Sequence, residues 1–259
     1  MSNVLKEVQN HWEKQSCGTH ASESEKFTLD YYEEIEEFRY RHEPFIHEFA
    51  QFTRWRGKQV LEVGVGAGSD FLQFIRAGAI ADGIDLTEEG IQNTQNRLKV
   101  YDLKERQLEK TSAEKLPFPD NVYDLVYSWG VIHHTDDTEK AFNEIVRVTK
   151  PGGRVKIMLY NRSSLHTWYM FLRYALPKGK IFGGRNWAVY HHQESYATKV
   201  FTEADVRRML TDTQYKDLRF SYWDQRIRQG AKFEKIRRFL QRICPRKMRW
   251  YMAFEFTKV

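Results

Sequence analysis

The chain reads as a doubly wound α/β fold, a mostly parallel seven-stranded sheet with helices on both faces. Three observations predict it. The apolar run Gln59–Val63 ends in Gly64-Val65-Gly66-Ala67-Gly68 and is followed by a helical pattern from Ser69. A second apolar run ends in Asp85, seventeen positions past Gly68. From residue 59 to residue 160 strand and helix patterns then alternate, which implies parallel strands joined by crossover helices.

The elements follow in order. Residues 1–56 are helical and polar-aromatic, with Glu33, Glu34, Glu36 and Glu37 flanking Ile35 and Phe38, and Pro44 interrupting before Phe45. They are expected to form a cap over the ligand site. Strands are expected at 59–63, 80–85, near 106–111, and at 123–129 and 154–160. Helices are expected at 69–77, 87–99 and 137–148. Thr87 is a plausible N-cap with Glu88 and Glu89 in the first turn, and Pro151-Gly152-Gly153 reads as the turn into the fifth strand. Residues 161–200 break the alternation with aromatics and histidines. They are read as a lid, because insertions after that strand sit above the ligand-binding edge of such sheets. Thr202-Glu203-Ala204-Asp205 opens a capped helix. A sixth strand falls near 217–223 and a final antiparallel strand at 249–257. Residues 57–259 thus make one ligand-binding domain, with a basic helical insertion at 226–246.

The glycine loop and acid are the layout of a nucleotide-type pocket, used by dinucleotides and by S-adenosylmethionine. The dinucleotide spacing is Gly-x-Gly-x-x-Gly, whereas here it is Gly64-x-Gly66-x-Gly68 with Ser69 in the place of the third glycine. Glu62 stands at the mouth of the loop. A carboxylate there is awkward beside a pyrophosphate and suits a sulfonium ligand with an ammonium group. Asp85 can accept from ribose hydroxyls, and its bland alternative is a helix N-cap.

Residues 112–134 read Ser-Ala-Glu-Lys-Leu-Pro-Phe-Pro-Asp-Asn-Val-Tyr-Asp-Leu-Val-Tyr-Ser-Trp-Gly-Val-Ile-His-His, and residues 144–159 contain Thr149-Lys150-Pro151-Gly152-Gly153 before an apolar strand. With the loop and Asp85, these motifs resemble the class I S-adenosylmethionine-dependent methyltransferases of the small-molecule type, the ubiquinone/menaquinone methyltransferase-like (type 11) group. Trp12, Cys17-Gly18-Thr19 and Phe38–Pro44 also resemble a bacterial subgroup of these enzymes. The resemblance implies a Rossmann-like fold, S-adenosyl-L-methionine as cofactor and S-adenosyl-L-homocysteine as product. It places Glu62, Gly64, Gly66 and Gly68 at the methionine and ribose part, Leu86 on the adenine face, and Ser112, Ala113 and Glu114 at the adenine edge. Many relatives carry an acid where Ser112 stands. Trp129 and Gly130 line the methionine end, and Arg39 or Arg41 could pair the cofactor carboxylate or merely the local glutamates.

Methyl transfer asks the protein mainly to align two partners and exclude water, with a base where the nucleophile arrives protonated. His133 and His134 follow the fourth strand and are the candidates for that role, and Tyr160, beside the lid, could orient the acceptor. The expected reaction is transfer to O or N of a small molecule. The alternatives are an NAD-type oxidoreductase and an RNA-modifying methyltransferase.

Composition narrows the partners. The chain has 259 residues, 41% apolar, and a formal charge of +6. No apolar run approaches the about 20 residues of a membrane span, and no signal pattern opens the sequence, so a cytoplasmic protein is expected. Cys17 and Cys244 suggest no disulfide framework. Cys17-x-x-His20 is half a metal motif without a partner pair, so no metal is expected. Cations crowd residues 226–249, including Arg237, Arg238 and Arg242, against the single acid Glu234. That stretch suggests an anionic acceptor or a peripheral membrane contact, or only a solvated face. Nucleic acid is not expected, since no recognition module is present. Oligomeric state is not legible.

Overall fold

The computed structural model describes residues 3–14, 16–193, 195, 197–225, 239 and 242–259. The expected basic helix at 226–246 therefore lies largely outside the described residues.

Three helices precede the sheet: α1 (Asn3–Lys14), α2 (Leu29–His42) and α3 (Phe45–Ala50). The alternating part then runs β1 (Gln59–Val63), α4 (Ser69–Arg76), β2 (Ile80–Asp85), α5 (Glu88–Val100), β3 (Gln107–Lys110), β4 (Tyr123–Trp129), α6 (Thr138–Val148) and β5 (Thr149–Tyr160). After β5 come α7 (Leu165–Met170), α8 (Gly184–His192) and α9 (Glu203–Met209), then β6 (Tyr215–Trp223) and β7 (Tyr251–Lys258). The helix starts are written in side chains. The Thr87 hydroxyl accepts from the Gly90 N–H at 3.0 Å, Asp137 accepts from the Lys140 N–H at 3.0 Å, and Thr202 with Asp205 completes a reciprocal capping box.

The seven strands lie in the order β3-β2-β1-β4-β5-β7-β6. β1 pairs in parallel with both β2 and β4, so the crevice at the reversal of strand order opens between their C-terminal ends. β7 is antiparallel to β5 and β6, as expected. One boundary differs from expectation. β5 begins at Thr149, and Pro151-Gly152-Gly153 bulges within it instead of leading into it. Tyr123 pairs with Thr149 while Leu125 pairs with Arg154, so the extra residues are expelled from the ladder.

Apolar residues fill both faces of the sheet: Val60, Leu125 and Tyr127 with Phe71 and Phe74 on one, Val126, Val155 and Phe254 with Phe142 and Ile145 on the other. The cap is tied to the edge of the crevice. Tyr31, Tyr32 and Ile35 of α2 pack on Ala67 in the glycine loop, and α1 lies on α5, where Glu13 accepts from the Glu88 N–H at 3.1 Å. The expected lid takes another place. α7, a wide π turn over Phe171–Ala175 and α8 form a compact unit. Its inner residues Met170, Ala175, Ala188 and Val189 join the cluster that contains Tyr160 and Tyr251.

Candidate active site

A cavity of about 430 Å³ opens at the C-terminal ends of β1, β2 and β4. Glu62, Gly64 and Gly66 border it on one side, Asp85 and Leu86 on the next, and Ser112 and Ala113 beyond them. Trp129, Gly130, His134, Tyr160 and Tyr251 form the opposite end, and Leu5, Val8 and Trp12 of α1 cover it. Gly64 is required by close approach: it has φ +84°, and a Cβ there would fall 2.3 Å from Val131.

Asp85 ends β2 and is held from both sides. Its Oδ2 accepts from the Gly66 N–H at 2.9 Å, and its Oδ1 accepts from the Thr87 N–H at 2.9 Å and the Thr87 hydroxyl at 2.6 Å. Burial raises its pKa against these hydrogen bonds, which pull the other way. Three of the about four acceptor positions of a carboxylate are thus taken. Gly90 makes this packing possible, since a Cβ there would lie 2.6 Å from the Asp85 carboxyl carbon. Sequence reading missed Gly90; its signal was a glycine in the first turn after the acid.

Glu62 is buried and its Oε2 has no hydrogen-bond partner among the described residues. Burial pushes its carboxyl well above the usual range. Asp70 and Asp85 push the same way and Arg39 opposes them. A buried, unpaired carboxylate oxygen beside a glycine loop is stabilised by a cationic group and repels a pyrophosphate. The chemistry of these residues therefore fits S-adenosylmethionine better than a dinucleotide.

Arg39 and Arg41 part company. Arg41 faces solvent and pairs with Glu37. Arg39 turns inward to border the cavity and holds Asp70 with two parallel bonds, 2.8 and 2.5 Å. Tyr40 and Tyr127 also donate to Asp70, each at 3.0 Å. This fork pins the cap to α4 and keeps the Asp70 carboxyl low despite its burial. Glu43 was missed as well. It borders the cavity and accepts from Trp129 Nε1 at 3.1 Å, from the Tyr251 hydroxyl at 2.7 Å and from Gln225 Nε2 at 3.1 Å. Its partners lie up to 208 positions away, which no local pattern reveals.

Three expected site residues do not border the cavity. Gly68 caps α4 against Thr94. Glu114 accepts from the Asp136 N–H at 2.9 Å and braces the loop after β4. The Ser112 hydroxyl, which does border it, accepts from the Glu114 N–H at 3.2 Å. His133 is the third. Ile132–His134 form a short 3₁₀ turn that points successive side chains in different directions. His133 is buried, neither ring nitrogen has a hydrogen-bond partner among the described residues, and its ring lies 4.1 Å from that of Tyr160. Burial holds its pKa well below the usual histidine value. His134 borders the cavity, with Nδ1 held by the Ser195 hydroxyl at 2.8 Å and the Thr198 hydroxyl at 3.2 Å, and Trp12 of α1 meets its ring edge-on at 5.7 Å. Burial, helped by His11 and Lys199, lowers its pKa to about 3.

Among the described residues the 161–200 insertion supplies no side chain to the cavity wall. It stands behind the wall. Besides Ser195 and Thr198, Lys199 reaches the Asp136 carbonyl at 2.6 Å and its N–H the His133 carbonyl at 3.1 Å. No cluster of three metal-ligating side chains occurs among the described residues, and no described helix is long and apolar enough to cross a membrane.

The fold and the cavity are similar to those of class I S-adenosylmethionine-dependent methyltransferase domains. Comparison with known proteins agrees. Residues 61–157 match the family model Methyltransf_11, a methyltransferase domain. The demethylmenaquinone methyltransferase of Tropheryma whipplei (strain Twist) is 28% identical over 147 residues, 51% of this chain and 60% of that enzyme, so the match spans less than two thirds of the relative's length. Among solved structures, the geranyl diphosphate C-methyltransferase of Streptomyces coelicolor A3(2), in complex with Mg2+, geranyl diphosphate and S-adenosyl-L-homocysteine, superposes with a TM-score of 0.64 at 12% identity, covering 100% of this chain and 98% of that one. The magnesium protoporphyrin IX methyltransferase of Synechocystis PCC 6803, with bound S-adenosylmethionine, gives 0.58 at 12% identity over 100% and 99%. At such identities the likeness is one of fold.

Proposed function

We propose that this chain transfers a methyl group from S-adenosylmethionine to an oxygen or nitrogen of a small molecule. The observation that carries this reading is that one cavity is bordered by Glu62 and Asp85 at one end and by Trp129, His134, Tyr160 and Tyr251 at the other. Cofactor and acceptor thus have adjoining places. A dinucleotide would bring its pyrophosphate against buried Glu62, which disfavours the oxidoreductase alternative.

Bound here, S-adenosylmethionine supplies an activated methyl carbon, displaced in line from sulfur by the acceptor's lone pair. The chain's part is placement. Glu62 receives the ammonium group, Asp85 a ribose hydroxyl, and Arg39, already shared with Asp70 and Glu43, faces the carboxylate end. α1 excludes water through Leu5, Val8 and Trp12. His134 is neutral throughout the physiological range, because its pKa lies near 3. With Nδ1–H given to the Ser195 hydroxyl, Nε2 accepts a hydrogen bond from the acceptor's O–H or N–H and orients its lone pair, and the proton freed as the methyl–oxygen or methyl–nitrogen bond forms passes through Nε2 to solvent. Tyr160 closes the same end with its ring.

The cations at 226–249 are our ground for an acceptor that carries an anionic group, and no nucleic-acid substrate is needed to account for them. The test is incubation of a metabolite extract with methyl-labelled S-adenosylmethionine, followed by mass spectrometry. A labelled small-molecule O- or N-methyl product, absent with the Asp85→Ala variant, is expected. Label found only in RNA, or no label at all with cofactor bound, would sink the reading.

A further inference from the structure

The insertion that leaves the cavity wall bare of its own side chains shows a distinct outer face. Leu165 through Lys178 run as one continuous helical stretch, α7 passing into the π turn and a last 3₁₀ turn. Its inner side buries Thr167, Met170 and Ala175. Its outer side exposes Trp168, Tyr169, Leu172 and Leu176, which recur at three- and four-residue spacing. The chain then turns at Gly179 and Gly183 and puts Ile181 and Phe182 at the tip, 64% and 97% exposed. An apolar stripe of this extent marks a contact surface.

The charges choose the occupant. Residues 168–185 carry Arg173, Lys178, Lys180 and Arg185 and no acid. Their cationic groups lie on the aromatic rings that edge the stripe: Arg185 over Trp168 at 4.5 Å, Arg173 over Tyr174 at 5.3 Å and Lys178 over Trp187 at 5.1 Å. A second copy of the chain would oppose like charges across a two-fold interface. Nucleic acid would suit the cations but leave Phe182 and Ile181 without a partner. A bilayer with anionic headgroups meets both, since apolar and Trp/Tyr side chains enter the headgroup boundary while Lys and Arg stay at its surface.

We propose that this outer face of the 165–185 insertion docks the protein on an anionic lipid surface, with Ile181 and Phe182 inserted and Arg173, Lys178, Lys180 and Arg185 on the headgroups. The site shares no residue with the cationic 226–249 stretch, and it requires nothing of the methyl-transfer reading.

Sedimentation of the full chain with phosphatidylglycerol/phosphatidylcholine vesicles, against phosphatidylcholine alone, at about 0.1 M salt, tests this. Wild type should sediment with the anionic vesicles and scarcely with the neutral ones. The pair Ile181→Asp and Phe182→Asp should lower partitioning about ten-fold or more, and the pair Lys178→Glu and Lys180→Glu should lower it and flatten its salt dependence. All four side chains are exposed, and an unchanged melting curve confirms the fold. Absence of wild-type binding to anionic vesicles would overturn the proposal. So would binding that neither pair alters, which assigns it to another surface. A dimer in light scattering, or RNA binding, that the apolar pair abolishes in a chain that ignores vesicles would equally overturn it.

Discussion

The N-terminal helices and the 161–200 insertion looked alike in sequence, both aromatic, both expected to close the ligand site. They differ in what they touch. The N-terminal helices contribute Leu5, Val8, Trp12, Phe38 and Arg39 to the cavity wall. The insertion contributes hydrogen bonds to wall residues His134 and Thr135 from behind, packs Phe171, Tyr174 and Trp187 on the core, and turns Trp168, Tyr169 and Phe182 outward. Aromatic content reports that a segment will bury or dock something. Which surface it meets depends on anchors. The N-terminal anchor is the Arg39–Asp70 fork, 31 positions apart in sequence, and the insertion's is the run Ser195–Lys199 against His134 and Asp136.

The largest expected effect therefore falls on the first anchor. Asp70→Ala leaves Arg39 only its Glu43 contact and takes from Tyr127 its Asp70 acceptor, beside buried Glu62, and should cost about 3–5 kcal/mol in denaturant unfolding, as for a broken buried pair. A loss below about 1 kcal/mol would mean that apolar packing alone holds the cap, on the scale of a typical single hydrogen bond.

The next lies at the seam where the two regions meet. His133 and His134 are neutral in the folded chain and ionise near pH 6.5 when unfolded. Below that value the unfolded state binds more protons, so stability is fully present above about pH 6.5 and is lost as pH falls toward the folded value near 3 of His134. The slope should approach about 1.4 kcal/mol per pH unit for each histidine. Replacing His134 with Gln should flatten it by one histidine's share in urea titrations at stepped pH. An unchanged slope would place the titration elsewhere.

Smaller again is the cofactor contact. Asp85→Ala should weaken S-adenosylhomocysteine binding in calorimetry by about 1–3 kcal/mol, the range for a hydrogen bond to a charged group. Equal affinity with an intact fold would remove Asp85 from the site. Smallest is the outer face: Phe182→Asp should change unfolding stability by no more than about 0.5 kcal/mol, since that side chain is almost fully exposed. A larger loss would show that the tip is part of a core.

Much of the fold was legible because local chemistry states it. Apolar runs ending in glycine or acid marked β1 and β2, Thr87 and Thr202 marked helix starts, and the motifs before Trp129 and after Thr149 marked β4 and β5. Pro151-Gly152-Gly153 misled because the same residues serve a turn or a bulge, and pairing with Tyr123 decides between them. In the site, Glu62, Asp85 and the loop were readable as punctuation of strands. Glu43 and Asp70 were not, for their partners come from distant segments. His133 and His134 could not be told apart, since adjacency in a tight turn does not say which ring faces the cavity.

Hydrogen exchange with and without S-adenosylhomocysteine tests the division of labour most directly. Residues 3–14 and 64–69 should slow on binding as the N-terminal helix closes over the occupied cavity, while 165–192 exchange at unchanged rates. Protection of 165–192 with none in 3–14 would contradict the account, and would make the insertion, after all, the lid.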